Sequence, residues 1–169
     1  MKKLLAGTVL GGLTVFVWGT ISWMALPWHH HTLKTFTNQA AVAQVVSQNA
    51  PSSGTYLLLP GTRGPAGGLT LFGAVRRESP NMAFYYLRGL AVEMLGALLV
   101  TWLLLTLPAL GFADRVRVAG ALGLAAGVLA RLPDWAWWGF STSFTLTGMA
   151  DLVISWMLAG LVIAKICTD

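Results

Sequence analysis

Three carboxylates, Glu93, Asp134 and Asp151, stand inside or beside long apolar runs, where an ionised side chain needs a partner. Two carboxylates at one membrane surface can share a proton and activate water. Arginines stand at similar places: Arg88 precedes Glu93, and Arg131 precedes Asp134. The simplest use of these groups is a structural ion pair. Arg131 is the expected partner of Asp151, with Arg88 second and Glu93 neutralised by the same cations. His29, His30 and His31 follow directly on an apolar run. A zinc or copper ion needs converging ligands, and neighbours on a helix splay by about 100°. On an extended segment His29 and His31 face one way, and they would still need a carboxylate such as Glu93 or Asp151. The expectation is therefore an exit from a helix at Pro27, with the imidazoles in a polar interfacial zone. No metal and no cofactor are implied.

The elements that must position these groups follow from composition. Hydrophobic residues make up 56% of the 169 residues and charged residues 10%, against roughly 25% charged in soluble domains. The mean hydropathy is +0.68. A soluble fold would lack the polar residues to cover its surface, whereas a bilayer removes that need. Four apolar runs reach the ~17–20 residues a membrane helix requires: Leu4 to Leu26, Ala83 to Leu107, Val116 to Leu132 and Phe144 to Ile166. The first carries Trp18 and Trp23 and lacks an Ala-x-Ala exit, so it reads as an uncleaved anchor rather than a signal peptide. Cys167 is the one cysteine, which excludes an internal disulfide and paired-cysteine redox chemistry. The net charge of +5 is scattered rather than clustered, which argues against nucleic acid as a partner.

Residues 27–82 form the one sizeable extramembrane segment, with a short helix expected over Asn38 to Asn49 after an N-cap at Thr37. Strands are expected over Thr55 to Leu59 and Leu69 to Arg77, with a Pro/Gly turn between them. A lone hairpin is marginal in water, so this segment is expected to lean on the membrane surface or a partner. Lys2, Lys3, Arg115 and Arg117 favour both termini in the cytoplasm. Trp23, Trp28, Trp135, Trp137 and Trp138 would then share the opposite interface, where amphipathic rings collect.

Association in lipid depends on small residues that permit close approach. Gly7 and Gly11, Gly12 and Gly19, and Gly123 and Gly127 have that spacing, the last pair followed by Arg131 on the same face. Gly89, Glu93 and Ala97, and Asp151, Ser155 and Ala159, form two further stripes. In this arrangement the ionisable groups and the histidines gather near one membrane face.

Two resemblances add to this reading. GALGLAAGVLARLPDW, followed by FTLTGMADLVISW, resembles the end of bacterial lipoprotein signal peptidases, over the last third of the chain. That resemblance implies an aspartate dyad, with Asp134 and Asp151 in those places. Leu124-Ala125-Ala126 stands where that family has asparagine. More broadly, SWMALPWH, GTYLLLPG and WWGFSTSFTL are similar to an uncharacterised family of small four-helix bacterial inner-membrane proteins. That likeness implies a fold and a location but no reaction.

The sequence thus points to an all-α membrane protein, a four-transmembrane-helix bundle with a small periplasmic α+β segment between the first two helices. It is expected to be one domain in the bacterial inner membrane. Its partners would be membrane lipids and a protein in the membrane or periplasm. A binding or accessory role is favoured over an enzyme. The alternative is a membrane-embedded hydrolase or carrier using Asp134 and Asp151.

Overall fold

The computed structural model describes residues 1–59, 68–79 and 81–168. They form two compact units, Met1–Leu33 with Met82–Asp169, and Lys34–Asn81. The larger contains α1 (Lys2–Met24), α3 (Met82–Leu105), α4 (Phe112–Trp138) and α5 (Thr142–Thr168). Among the described residues these four helices are long and apolar enough to cross a membrane. The smaller holds α2 (Gln39–Asn49) and an antiparallel pair, β1 (Gly54–Leu58) and β2 (Leu71–Val75).

In the larger unit, α5 is the hub. It packs against α4 on one side and α1 on the other, and α3 lies chiefly on α1. The seams are built from small residues. A Cβ on Gly123 would meet the Leu152 carbonyl at 2.7 Å, and one on Gly160 would meet Ala119 at 2.7 Å. The α1 seam works in the same way, with Gly11 against Ile163 and Ala97. Ala97, Ala119, Ala159 and Ala164 are fully buried, while Leu129 and Trp137 on the outside are 76% and 82% exposed. Small residues inside and large apolar ones outside is the distribution that suits helices surrounded by lipid, where dispersion at close approach holds the bundle. Gly19, expected in a seam, has nothing within 4 Å of a built Cβ.

The fourth helix runs further than the sequence suggests. The apolar run was expected to close at Leu132, before Pro133, but α4 continues through Pro133 to Trp138. Proline removes one backbone donor, while its fixed φ is compatible with a helix. Gly139 (φ 71°) then ends the helix in the left-handed conformation, its N–H bonded to the Asp134 carbonyl. Asp134 therefore lies on the helix itself.

At the opposite end of the bundle Arg115 is buried and serves the backbone. It donates to the carbonyls of Leu104 and, at 2.9 Å, Leu110, closing the turn after α3. Helix ends leave carbonyls without partners, and this guanidinium meets them. Arg115→Leu is expected to cost about 2–4 kcal/mol, because buried acceptors lose their donors. Thermal unfolding in mild detergent would measure this, and an unchanged midpoint would contradict it.

In the smaller unit the cap is Asn38 rather than Thr37: its side chain accepts from the Ala41 N–H at 3.0 Å. The register pairs Gly54 with Val75 and Leu58 with Leu71, so the first strand begins one residue earlier than expected and the second is shorter than the expected Leu69 to Arg77. The expected Pro/Gly turn falls largely outside the described residues. Arg77 ties the unit together, with its Nε donating to the Ala50 carbonyl at 2.6 Å and its guanidinium to Ser47.

Candidate functional site

Beyond α1 the chain folds back on the helix it has just left. The Ala25 and Leu26 N–H groups both donate to the Ile21 carbonyl, and a short 3-10 turn covers His30–Thr32. This reversal lays Trp28 and His29 on Ser22 and Trp23. The His29 ring stacks on Trp23 with centroids 4.0 Å apart and planes within 7°. Trp28 stands edge-on to His29, and its indole N–H donates to Ser22 Oγ at 3.0 Å.

Asp151 on α5 meets this cluster. Its Oδ1 accepts from the Trp18 indole at 2.6 Å, and its Oδ2 lies 3.2 Å from His29 Nε2. The side chains of His29 and Asp151 are only 3% and 14% exposed. Both carboxylate oxygens are thereby engaged. Ser22 Oγ lies 3.0 Å from the same His29 nitrogen. Ser22, His29 and Asp151 are the residue types of a hydrolytic triad, but their geometry is different. A triad places the carboxylate on one ring nitrogen and the hydroxyl on the other, whereas here both approach Nε2 and Ser22 is fully buried. An ionised carboxylate only accepts, so Nε2 carries the hydrogen that meets Asp151, and Ser22 cannot lose its proton to that atom. The cluster is a clamp that joins α1, its exit turn and α5.

Beside the clamp lies a cleft of about 480 Å³. Its walls include Phe16, Gly19 and Trp23 from α1, and Tyr85, Tyr86 and Glu93 from α3. Arg131 of α4 and Gly148 and Asp151 of α5 complete them. At a rise of 1.5 Å per residue, Trp18, Glu93, Arg131 and Asp151 each lie roughly 9–17 Å from the helix ends on the His29 side. The expected gathering of ionisable groups at one end of the bundle is present, but the pairing differs. The side-chain partners of Asp151 are His29 and Trp18, and neither Arg131 nor Arg88 is its partner among the described residues. Arg131 Nε is buried without a hydrogen-bond partner among the described residues. Gly148 makes room for it: a Cβ there would stand 3.2 Å from that nitrogen. Arg88 is exposed and lies over the Phe84 ring at 5.3 Å, away from the cleft. Glu93 faces the cleft with no hydrogen bond or ion pair to another described residue.

Asp134 does not line this cleft, so the cleft does not bring the two expected aspartates together. His30 and His31 are exposed, and His30 bonds to the Trp23 carbonyl at 3.0 Å. Among the described residues no three His, Cys, Asp or Glu side chains converge as metal ligands. His29 and His31 are separated in role: one is locked in the clamp, the other points to the surface. Sequence reasoning overlooked Trp18 and Ser22. Their signal was the spacing of Gly7, Gly11, Val15, Trp18 and Ser22, which marks one helix face. Searches against family models, curated proteins and solved structures return no match to this chain.

Proposed function

We propose that this chain is a multi-pass protein of the bacterial inner membrane that works as a binding or accessory component, with the inter-helix cleft as its binding site. Both termini lie in the cytoplasm in this reading. It is supported by Lys2, Lys3, Arg115 and Arg117 at one end of the helices and by the tryptophans and histidines at the other. A cysteine placed at Ser53 is expected to react with an impermeant thiol reagent in intact spheroplasts, and one at Asp114 is not. The reverse labelling would refute the orientation.

The observation that carries the binding reading is the division among the ionisable groups. Asp151 is consumed by Trp18 and His29. Glu93 and Arg131 face the same cleft from α3 and α4 without meeting each other. Charged groups in an apolar bundle are costly without partners, so a ligand that pairs with both relieves that cost. A hydrolase of the aspartate-dyad kind would instead need Asp134 and Asp151 facing one water, and Asp134 is not on this cleft. Native mass spectrometry of the protein released from mild detergent tests the reading. A stoichiometric adduct is expected on the wild type, lost from the Glu93→Gln/Arg131→Leu variant. An adduct-free wild type, or an adduct indifferent to both substitutions, would overturn it.

A further inference from the structure

Resting on the cleft as a binding site, the charges on its walls narrow the ligand. Among the described residues two charged groups there have no ion-pair partner, one of each sign: Glu93 and Arg131. A simple anion would leave Glu93 unpaired and repelled, and a simple cation would do the same to Arg131. A zwitterion satisfies both. Arg131 offers planar donors suited to a phosphate, and Glu93 offers acceptors that a primary ammonium can fill with N–H bonds. Phe16, Trp23, Tyr85 and Tyr86 border the same space, and their rings give the head group an aromatic wall beside the charged pair.

A second feature indicates that the zwitterion carries a hydrocarbon tail. Below the charged level, α3 and α4 do not pack closely on each other, and a groove of about 350 Å³ opens between them. Gly96, Val100 and Leu103 of α3 line one side, Leu122 and Ala126 of α4 the other, and Trp156 of α5 stands between them. Gly96 is three residues beyond Glu93 on α3, and Ala126 five residues before Arg131 on α4. The groove therefore starts about one turn below the charged pair and runs along the same two helices. Its walls are almost wholly apolar, and Ala126 is exposed within it.

We infer that the cleft and groove together hold one zwitterionic phospholipid of the phosphatidylethanolamine type, its ammonium at Glu93, its phosphate at Arg131 and an acyl chain in the α3–α4 groove. The clamp at Asp151 keeps the wall of the head-group site fixed, both of its carboxylate oxygens being engaged by Trp18 and His29. A phosphatidylglycerol head lacks the ammonium. A choline head has the charge but no N–H to donate to Glu93.

The test uses the full-length protein in nanodiscs made from equal amounts of phosphatidylethanolamine, phosphatidylcholine and phosphatidylglycerol with identical acyl chains. The protein is then extracted in mild detergent, and the lipid that stays with it is identified by mass spectrometry. Retained phosphatidylethanolamine is expected to exceed each of the others by about tenfold, the ratio one charge-assisted hydrogen bond supplies. Glu93→Gln should bring the ratio to that of the bulk lipid. Ala126→Trp, which fills the groove from an exposed position, should lower total retained lipid while the protein stays folded by circular dichroism. Soluble glycerophosphoethanolamine should compete but not survive gel filtration. Wild-type lipid at the bulk ratio, enrichment that persists in Glu93→Gln, or equal retention of the soluble head group would each overturn the inference. If a different adduct requires Glu93 and Arg131, the lipid assignment fails and the binding reading stands. If the wild type holds no adduct of any kind, both fail.

Discussion

Asp151→Ala is expected to lower the stability of the detergent-solubilised protein by about 2–5 kcal/mol, because two donors lose a largely buried acceptor. The carboxylate accepts from Trp18 at 2.6 Å and meets His29 at 3.2 Å. Its loss leaves two donors, the Trp18 indole and the His29 ring, without acceptors in a largely buried place. Each orphaned polar group costs about 1–3 kcal/mol. Water entering through the cleft offsets part of this on the Asp151 side. Asp151→Asn keeps one oxygen acceptor and is expected to lose roughly half as much. Trp18→Phe removes the indole donor but keeps most of the ring, and should cost about 1–2 kcal/mol. Thermal unfolding followed by circular dichroism orders the three variants. An Asp151→Asn variant at least as stable as wild type would show that the clamp contributes nothing to the fold.

Gly123→Leu is expected to have an effect of similar size for a different reason. A Cβ at this position would stand 2.7 Å from the Leu152 carbonyl and 2.9 Å from Trp156 Cβ. The first of these is backbone, so the clash cannot be relieved by turning a side chain. The helices must separate along the α4–α5 seam, at the upper end of the ~1–3 kcal/mol for overpacking or beyond it. Replacing glycine in a helix interior gains about 1 kcal/mol of helical propensity, and at Gly123 the clash outweighs that gain. At Gly19, where a Cβ meets nothing within 4 Å, the propensity term should win. Gly19→Ala is thus expected to be neutral or up to about 1 kcal/mol stabilising. Comparable midpoints for Gly123→Leu and Gly19→Ala would contradict the packing of α4 on α5.

How far the sequence could be read follows from which forces are local. The four long helices were legible because hydropathy over a span is a sum, insensitive to any one residue. Their ends were less so. Pro133 looked like a stop, yet the helix tolerates one missing donor and yields only at Gly139. The small-residue stripes were legible for α4, where Gly123 and Gly127 both face α5. The stripe ending at Ser155 and Ala159 was legible too, since both are buried. The gathering of Glu93, Arg131 and Asp151 around one cleft also follows from helix lengths and alternating direction. The identity of the partners does not. Spacing tells which residues share a face of one helix, and it is silent on which helix lies opposite. Arg131 was matched to Asp151 on charge alone, but α1 with its returning turn occupies that place and supplies Trp18 and His29. The reversal at Pro27 brings His29 back on Ser22 within seven residues, but its meeting with Asp151 is a non-local event, and nothing in HHH specifies it.

The most direct test of the division of labour among these residues is a pair of double-mutant cycles measured by thermal unfolding in one detergent. Asp151→Asn is combined once with His29→Gln and once with Arg131→Leu. The clamp predicts coupling of about 1–3 kcal/mol between Asp151 and His29, as for residues in one hydrogen-bond network. It predicts that Asp151 and Arg131, which share a cleft but no contact, are additive to within about 0.5 kcal/mol. Strong coupling of Asp151 to Arg131, with none to His29, would contradict the account. The charge that the cleft needs for its ligand would then be spent inside the protein.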